Sequence, residues 1–202
     1  MPRTSQAPAH KRADAQRNIE AILDAAVVCL SHNPEASVGE IAKAAGVGRV
    51  TLYGHFPSRA DLVDAVFTRT VEHADAALDA LDIGGDPRRA LVRLITTTWP
   101  MIDRARAIRA AALTALPPER IHAAHEGPMR RVQRLVERGQ DEGVFRTDLP
   151  ASWLVGVLLN VMHGAADEIT AGRLVAGDAA GLIAATILAA YTAPGCQVPK
   201  AG

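Results

Sequence analysis

Residues 37–61, SVGEIAKAAGVGRVTLYGHFPSRAD, constrain the fold more than any other stretch of this 202-residue chain. Ser37 followed by Glu40 is a capping box, in which each side chain satisfies a backbone N–H of the other residue. Val38, Ile41, Ala42 and Ala45 then recur at helical spacing and make one apolar stripe. Gly46 can end that helix in a left-handed conformation without a Cβ penalty. Val47 is an apolar plug in the turn. A second helix of barely two turns follows, with Leu52 inward and Arg49, Thr51, Tyr53 and His55 largely outward. Pro57 ends it, and Ser58 with Asp61 caps the next. The spacing predicts a helix-turn-helix whose second helix is built to enter a DNA major groove.

The stretch resembles the DNA-binding domain of the TetR family of bacterial transcriptional regulators. The likeness rests on Ile41-Ala42, Ala45-Gly46-Val47, Thr51-Leu52-Tyr53 and His55-Phe56-Pro57-Ser58-Arg59. The family pattern there is IA…AGV, then TLY-x-HF-x-S-K. Gly48 departs from it, standing where Ser or Thr usually opens the recognition helix. Gly54 departs too, standing mid-helix where a side chain is usual. Each lowers helix propensity by up to about 1 kcal/mol relative to Ala and removes a possible DNA contact. The resemblance implies an all-α homodimer whose last two helices pair across a two-fold axis into a four-helix bundle. It implies an N-terminal domain that binds a palindromic operator. It also implies a C-terminal domain that takes a small-molecule effector and changes the separation of the two reading heads. Arg59 stands where the family has its phosphate-binding lysine.

Composition agrees with helices. Aromatic residues are 3% of the chain and alanine is plentiful, which favours closely packed helices over a sheet core. No apolar run is long enough to span a bilayer, and the polar N-terminus lacks the apolar stretch of a signal peptide. Cys29 and Cys196 do not make a disulfide framework, so a reducing cytoplasm is the expected home. Net charge is +0, which argues mildly against nucleic acid. The distribution softens this: residues 1–60 hold seven Lys/Arg against five Asp/Glu, and the remainder holds fifteen against seventeen. The asymmetry suits a basic N-terminal face.

Residues 1–11 read as a disordered arm, in which Arg3 and Lys11, with Arg12 beside it, are candidate DNA contacts or simply solvated. A first helix is expected over 14–31, with Ile19, Ile22, Leu23, Ala26, Val27 and Leu30 on its core face. A long helix over about 58–81 carries Leu62, Val66, Phe67, Thr70, Ala74, Ala77, Leu78 and Leu81, and is the natural coupling element. Gly84-Gly85-Asp86-Pro87 is the clearest internal boundary. Five further helices are expected at about 87–103, 105–116, 119–143, 150–172 and 178–192, with a kink at Gly127-Pro128. The domains expected are 1–60 for DNA binding, 61–193 for ligand binding and dimerisation, and 194–202 as a flexible tail.

The DNA-facing set is Ser37, Gly48, Arg49, Val50, Thr51, Tyr53, His55 and Arg59. Arg49 suits bidentate bonding to guanine, and the Thr51 methyl suits contact with thymine's methyl. Tyr53, His55 and Arg59 suit phosphates, and Ser37 can face a phosphate while capping its helix. Candidate ligand-binding residues are Trp99, Ile102, Leu113, His122, His125, Met129, Trp153, Asn160 and Met162, an apolar set with a few polar fixtures. The same Met and Trp residues equally suit core packing. His122-x-x-His125-Glu126 has a spacing that can hold a metal, yet no third ligand is near in sequence, so no metal or cofactor is expected. Leu154, Val157, Leu158, Val161 and Met162, with Leu182, Ala185 and Ala189, suit the dimer helices. Gly156, Asn160 and Gly164 add a small-residue ridge. No catalytic motif is present: there is no G-x-S-x-G, no H-E-x-x-H and no phosphate loop. The expected function is a ligand-responsive transcriptional regulator, a repressor released from DNA by a hydrophobic or amphipathic molecule. The alternatives are a protein-binding adaptor that keeps the fold without specific DNA binding, and a metal-responsive regulator.

Overall fold

A computed structural model describes residues 7–197, with side chains from residue 14. Among the described residues there are eight helices and no strand. They are α1 (Ala7–His32), α2 (Val38–Ala44), α3 (Arg49–His55), α4 (Arg59–Asp79), α5 (Pro87–Ala115), α6 (Pro118–Asp141), α7 (Ala151–Thr170) and α8 (Ala176–Tyr191). No helix among them is long and apolar enough to cross a membrane.

Two element boundaries differ from expectation. Helix α1 begins at Ala7 rather than near Asp14. Pro8 falls in its first turn, where the missing N–H would have had no intrahelical partner. Arg3 lies outside the described residues, as do the side chains of Lys11 and Arg12. The break expected near residue 104 is absent, and α5 runs unbroken for 29 residues with Pro100 inside it. Pro100 is exposed, and Arg106 pairs with Asp103 one turn back at 3.0 Å. The following Ala-rich run has high helix propensity. Helix α6 likewise continues through a buried Pro128.

The chain divides into two compact units. One holds the chain up to Arg69 together with Ala107–Ile121, and the other holds Thr70–Arg106 and the chain from His122. In the first unit α1 packs on α2 and α2 on α3. Ile22, Ala26 and Leu30 of α1 are buried, as are Ile41, Ala42, Leu52, Leu62, Val66 and Phe67. These are the apolar stripes predicted from spacing. Arg120 pairs with Asp64 at 2.9 Å and donates to the Thr68 hydroxyl at 2.6 Å.

The second unit has one apolar core. Leu91, Leu94, Ile95 and Trp99 of α5 meet Leu135 and Val136 of α6, Leu154 and Leu158 of α7, and Ile183 and Ile187 of α8. Tyr191 is fully buried, and its hydroxyl donates to the Leu154 carbonyl at 2.7 Å. Burial pushes that hydroxyl's pKa well above its ordinary value. The loop between α6 and α7 is tied to the end of α8. Arg146 donates its backbone N–H to Tyr191 O at 2.8 Å and its guanidinium to Ala190 O at 3.2 Å.

Candidate nucleic-acid interface

The helix-turn-helix forms from local signals that each answer a specific backbone demand. The Glu40 N–H donates to Ser37 Oγ at 3.2 Å, and the Ser37 N–H donates to Glu40 Oε2 at 2.7 Å. The bond from the Ser37 N–H first, and the Ser37 hydroxyl second, hold the Glu40 carboxyl below its ordinary pKa. At the other end of α2, Gly46 has φ +68. Its N–H donates to Lys43 O at 3.2 Å, and the Val47 N–H donates to Ala42 O at 3.0 Å. This pair of bonds is the Schellman closure, which satisfies carbonyls the helix end leaves free.

Gly48 is the N-cap of α3 and not an interior residue. The helix-propensity penalty expected for it therefore does not apply, since glycine costs only a few tenths of a kcal/mol at a cap. Gly54 is inside α3, and the space around it is open, with nothing within 4 Å of an added Cβ. Leu52 is the only buried residue of α3 and anchors it. Around that anchor Arg49, Val50, Thr51, Tyr53 and Gly54 are exposed and His55 is half-buried. Val50 is 87% exposed and Tyr53 48%, so this face puts apolar groups into water beside a guanidinium and a hydroxyl. Such a mixture can read base edges, with arginine bonding guanine and methyl groups meeting thymine.

Two arginines are placed in ways their spacing did not announce. The Arg59 guanidinium donates to Pro34 O at 2.6 Å and reaches Ala36 O at 3.5 Å. It clasps the loop that leads into Ser37 and fixes how α2 begins. Arg49 belongs to α3, but its head lies against the first turn of α2. A Cβ built on Gly39 would fall 2.8 Å from the guanidinium carbon and 2.9 Å from Nε. The signal available in the sequence was the glycine itself, an unfavourable residue inside a helix as short as α2.

The candidate ligand residues scatter. Trp99 and Met162 are buried in the core of the second unit, with Ile102 and Met129 packed against it. His125 is half-buried on α6 and meets His163 of α7 edge to face, ring centroids 6.0 Å apart. His122 is exposed. Asn160 is also exposed, and its side-chain amide donates to Gly156 O at 2.9 Å. Trp153, at 62% exposed, and Leu113, at 52%, do not join the buried set. Leu113 falls in the first unit. A groove of about 450 Å³ lies beside Gly127, and its walls are charged, with Asp75, Arg130, Arg131, Arg134 and Glu137. Arg131 spans it to Asp75 at 3.2 Å.

An all-α chain with a capped, Schellman-closed helix-turn-helix and an exposed outward face on its second helix has the architecture of a helix-turn-helix DNA-binding protein. Residues 22–66 match the model of the bacterial regulatory proteins, tetR family. The chain is 39% identical over 80 residues to the transcriptional repressor LfrR of Mycolicibacterium smegmatis, a stretch covering 40% of this chain and 42% of LfrR. It is 25% identical over 167 residues to the transcriptional regulator NfxB of Pseudomonas aeruginosa, covering 80% of this chain and 87% of NfxB. The crystal structure of LfrR in complex with proflavine superposes with a TM-score of 0.67 at 24% identity, over 85% of this chain and 94% of that one. FadR of Bacillus subtilis in complex with stearoyl-CoA superposes with a TM-score of 0.68 at 16% identity, over 82% and 97%. These superpositions show a shared fold. Residues 22–66 are thus a TetR-family DNA-binding region, and over most of its length the chain shares the fold of TetR-family regulators.

Proposed function

We propose that this protein is a ligand-responsive transcriptional regulator acting as a repressor. Helix α3 enters the major groove of a palindromic operator. Residues 1–60 serve as the DNA-binding domain, residues 61–193 bind the effector and dimerise, and 194–202 form a tail. The observation that carries the reading is the face of α3, where Arg49, Val50, Thr51 and Tyr53 stand exposed around a buried Leu52. Ser37 and His55 flank it. Arg59 supports it by holding the loop at 34–36.

The dimer reading is supported by the outer face of α7 and α8. Trp153 and Leu182 are large apolar residues left 62% and 52% exposed. Gly156, Gly164 and Gly181 have nothing within 4 Å of an added Cβ, so packing inside this chain does not require them to be glycine. A second copy approaching closely would, as in helix bundles with two-fold symmetry. The effector reading is supported by LfrR, whose structure holds proflavine, and by FadR, whose structure holds stearoyl-CoA. Both ligands carry large apolar surface. In this chain Trp99, Ile102, Met129 and Met162, with His125 as a polar fixture, are the group that would open to such a molecule. An effector acts only through different affinities for the DNA-bound and released states.

The test is selection of bound sequences from random duplex DNA, followed by titration of the selected operator with salt and with a planar aromatic cation or a long-chain acyl thioester. A two-fold symmetric site, affinity that falls steeply with salt and release by one ligand class are the expected results. Binding that is weak and indifferent to sequence would end the reading.

A further inference from the structure

We infer that Gly39 on α2 is a specificity-determining position, because it provides the seat that places the Arg49 guanidinium at the edge of the α3 reading face. The inference rests on the DNA-reading role proposed for α3. The three heavy atoms nearest to a Cβ built on Gly39 all belong to the Arg49 guanidinium group, with Cζ at 2.8 Å and Nε at 2.9 Å. Real Cβ atoms essentially never sit under 3.0 Å from a neighbour, so any other residue at 39 forces that head to move. Glycine here has no conformational reason, since no left-handed φ is recorded for Gly39 and it lies inside helix α2. Its use is the close approach.

The consequence is geometric. Arg49 leaves the first turn of α3, but its donors sit over α2, displaced from the α3 axis. Arginine reads guanine through a planar fork whose two donors must both align. A side chain with several free torsions loses rotamer freedom when it docks. A seat that already holds the head lowers that loss and fixes which base lies under the fork. Alanine at 39 fills the seat and sends the guanidinium elsewhere, while favouring α2 itself through its higher helix propensity.

The experiment compares wild type, Gly39→Ala, Arg49→Ala and the double variant in selection from random duplex DNA, followed by competition binding on the selected site and its single-base variants. Arg49→Ala should flatten preference at one base position per half-site, a loss of roughly 5- to 150-fold in discrimination if a bidentate contact is removed. Gly39→Ala should flatten or change preference at that same position by at least about fivefold and leave the other positions alone. In the Arg49→Ala background it should do nothing further. Unchanged melting by circular dichroism separates this from loss of fold. If Gly39→Ala keeps the wild-type preference, or costs as much without Arg49 as with it, the inference is overturned while the DNA-reading role stands. If Arg49→Ala lowers affinity equally on all sequences, Arg49 is a phosphate contact and Gly39 has no part in specificity. If wild type selects no sequence, the DNA-reading role itself falls, and this inference with it.

Discussion

The helix-turn-helix and the α7–α8 face are both surfaces built on buried cores, but they close differently. The helix ends of the first are capped and closed by residues within 37–61. Ser37 and Glu40 cap α2, Gly46 ends it, Leu52 anchors α3, and Asp61 caps α4 through Ser58 at 2.9 Å. The second is complete only on its inner side. Leu154, Leu158, Ile183 and Ile187 are buried in the core, whereas Trp153 and Leu182 are exposed and Gly164 faces open space. The first presents capped helices and an exposed mixture of guanidinium, hydroxyl and apolar groups. The second leaves Trp153 exposed and its glycines without close neighbours, which fits the two-fold pairing proposed for it.

The comparison predicts that the two regions fail separately. Leu52→Ala should have the largest effect, since removing a fully buried leucine costs about 2–5 kcal/mol. DNA binding should be lost, while the oligomeric state measured by sedimentation should not change. A dimer that dissociates in this variant would mean the two regions depend on each other. Gly164→Trp should do the reverse. A Cβ added at 164 meets nothing within 4 Å in the protomer, so the helices should form normally by circular dichroism. Overpacking a close interface costs about 1–3 kcal/mol, which should appear as a shift of the monomer–dimer midpoint to higher concentration. A midpoint equal to wild type would move the interface elsewhere. Arg49→Ala should cost about 1–3 kcal/mol on the selected operator and act at one base position. Arg59→Ala should lower affinity for all sequences together, because it releases the loop at Pro34 and Ala36.

The same contrast explains what the sequence disclosed. The caps, the turn glycine and the inward Leu52 are signals with a range of four residues or fewer, so they were legible, and so was the all-α fold that the apolar stripes encode. The junction expected near residue 104 is absent, and α5 runs for 29 residues through an exposed Pro100. The propensity cost expected of Gly48 at the opening of the recognition helix falls away because the residue is the N-cap. The seat of Arg49 on Gly39 and the reach of Arg59 to Pro34 join residues 10 and 25 apart across a turn, and no periodicity encodes them. The ligand residues were the least legible. Met, Trp and Ile have the same signature in a core as in a pocket, and only packing separates buried Trp99 from exposed Trp153.

The smallest predicted effects lie in the capping box and sharpen the comparison by pH. Ser37→Ala removes the hydroxyl that accepts from Glu40 N and should cost about 1 kcal/mol, measured as a lowered denaturation midpoint with DNA affinity reduced in step. The charge on Glu40 is a subtler matter. Its carboxyl pKa is lowered from an ordinary value of 4.5, first by the bond from the Ser37 N–H and then by the hydroxyl. A depressed pKa means the folded state binds fewer protons than the unfolded one, so stability rises with pH through that range. The contribution is complete above 4.5 and is lost as pH falls through the lower folded value. The second unit has acid-sensitive pairs of its own, for Arg173 lowers Glu168 and Arg146 lowers Asp148. Acid loss in wild type alone therefore does not isolate the capping box. The difference between wild type and Glu40→Gln does, because glutamine keeps an acceptor for the Ser37 N–H but cannot ionise. Wild type should be the more stable of the two at neutral pH, and the gap should close as pH falls below 4.5. A gap that stays constant over that range would show that the capping box works through its hydrogen bonds alone. The ionised carboxylate would then add nothing to the reading domain.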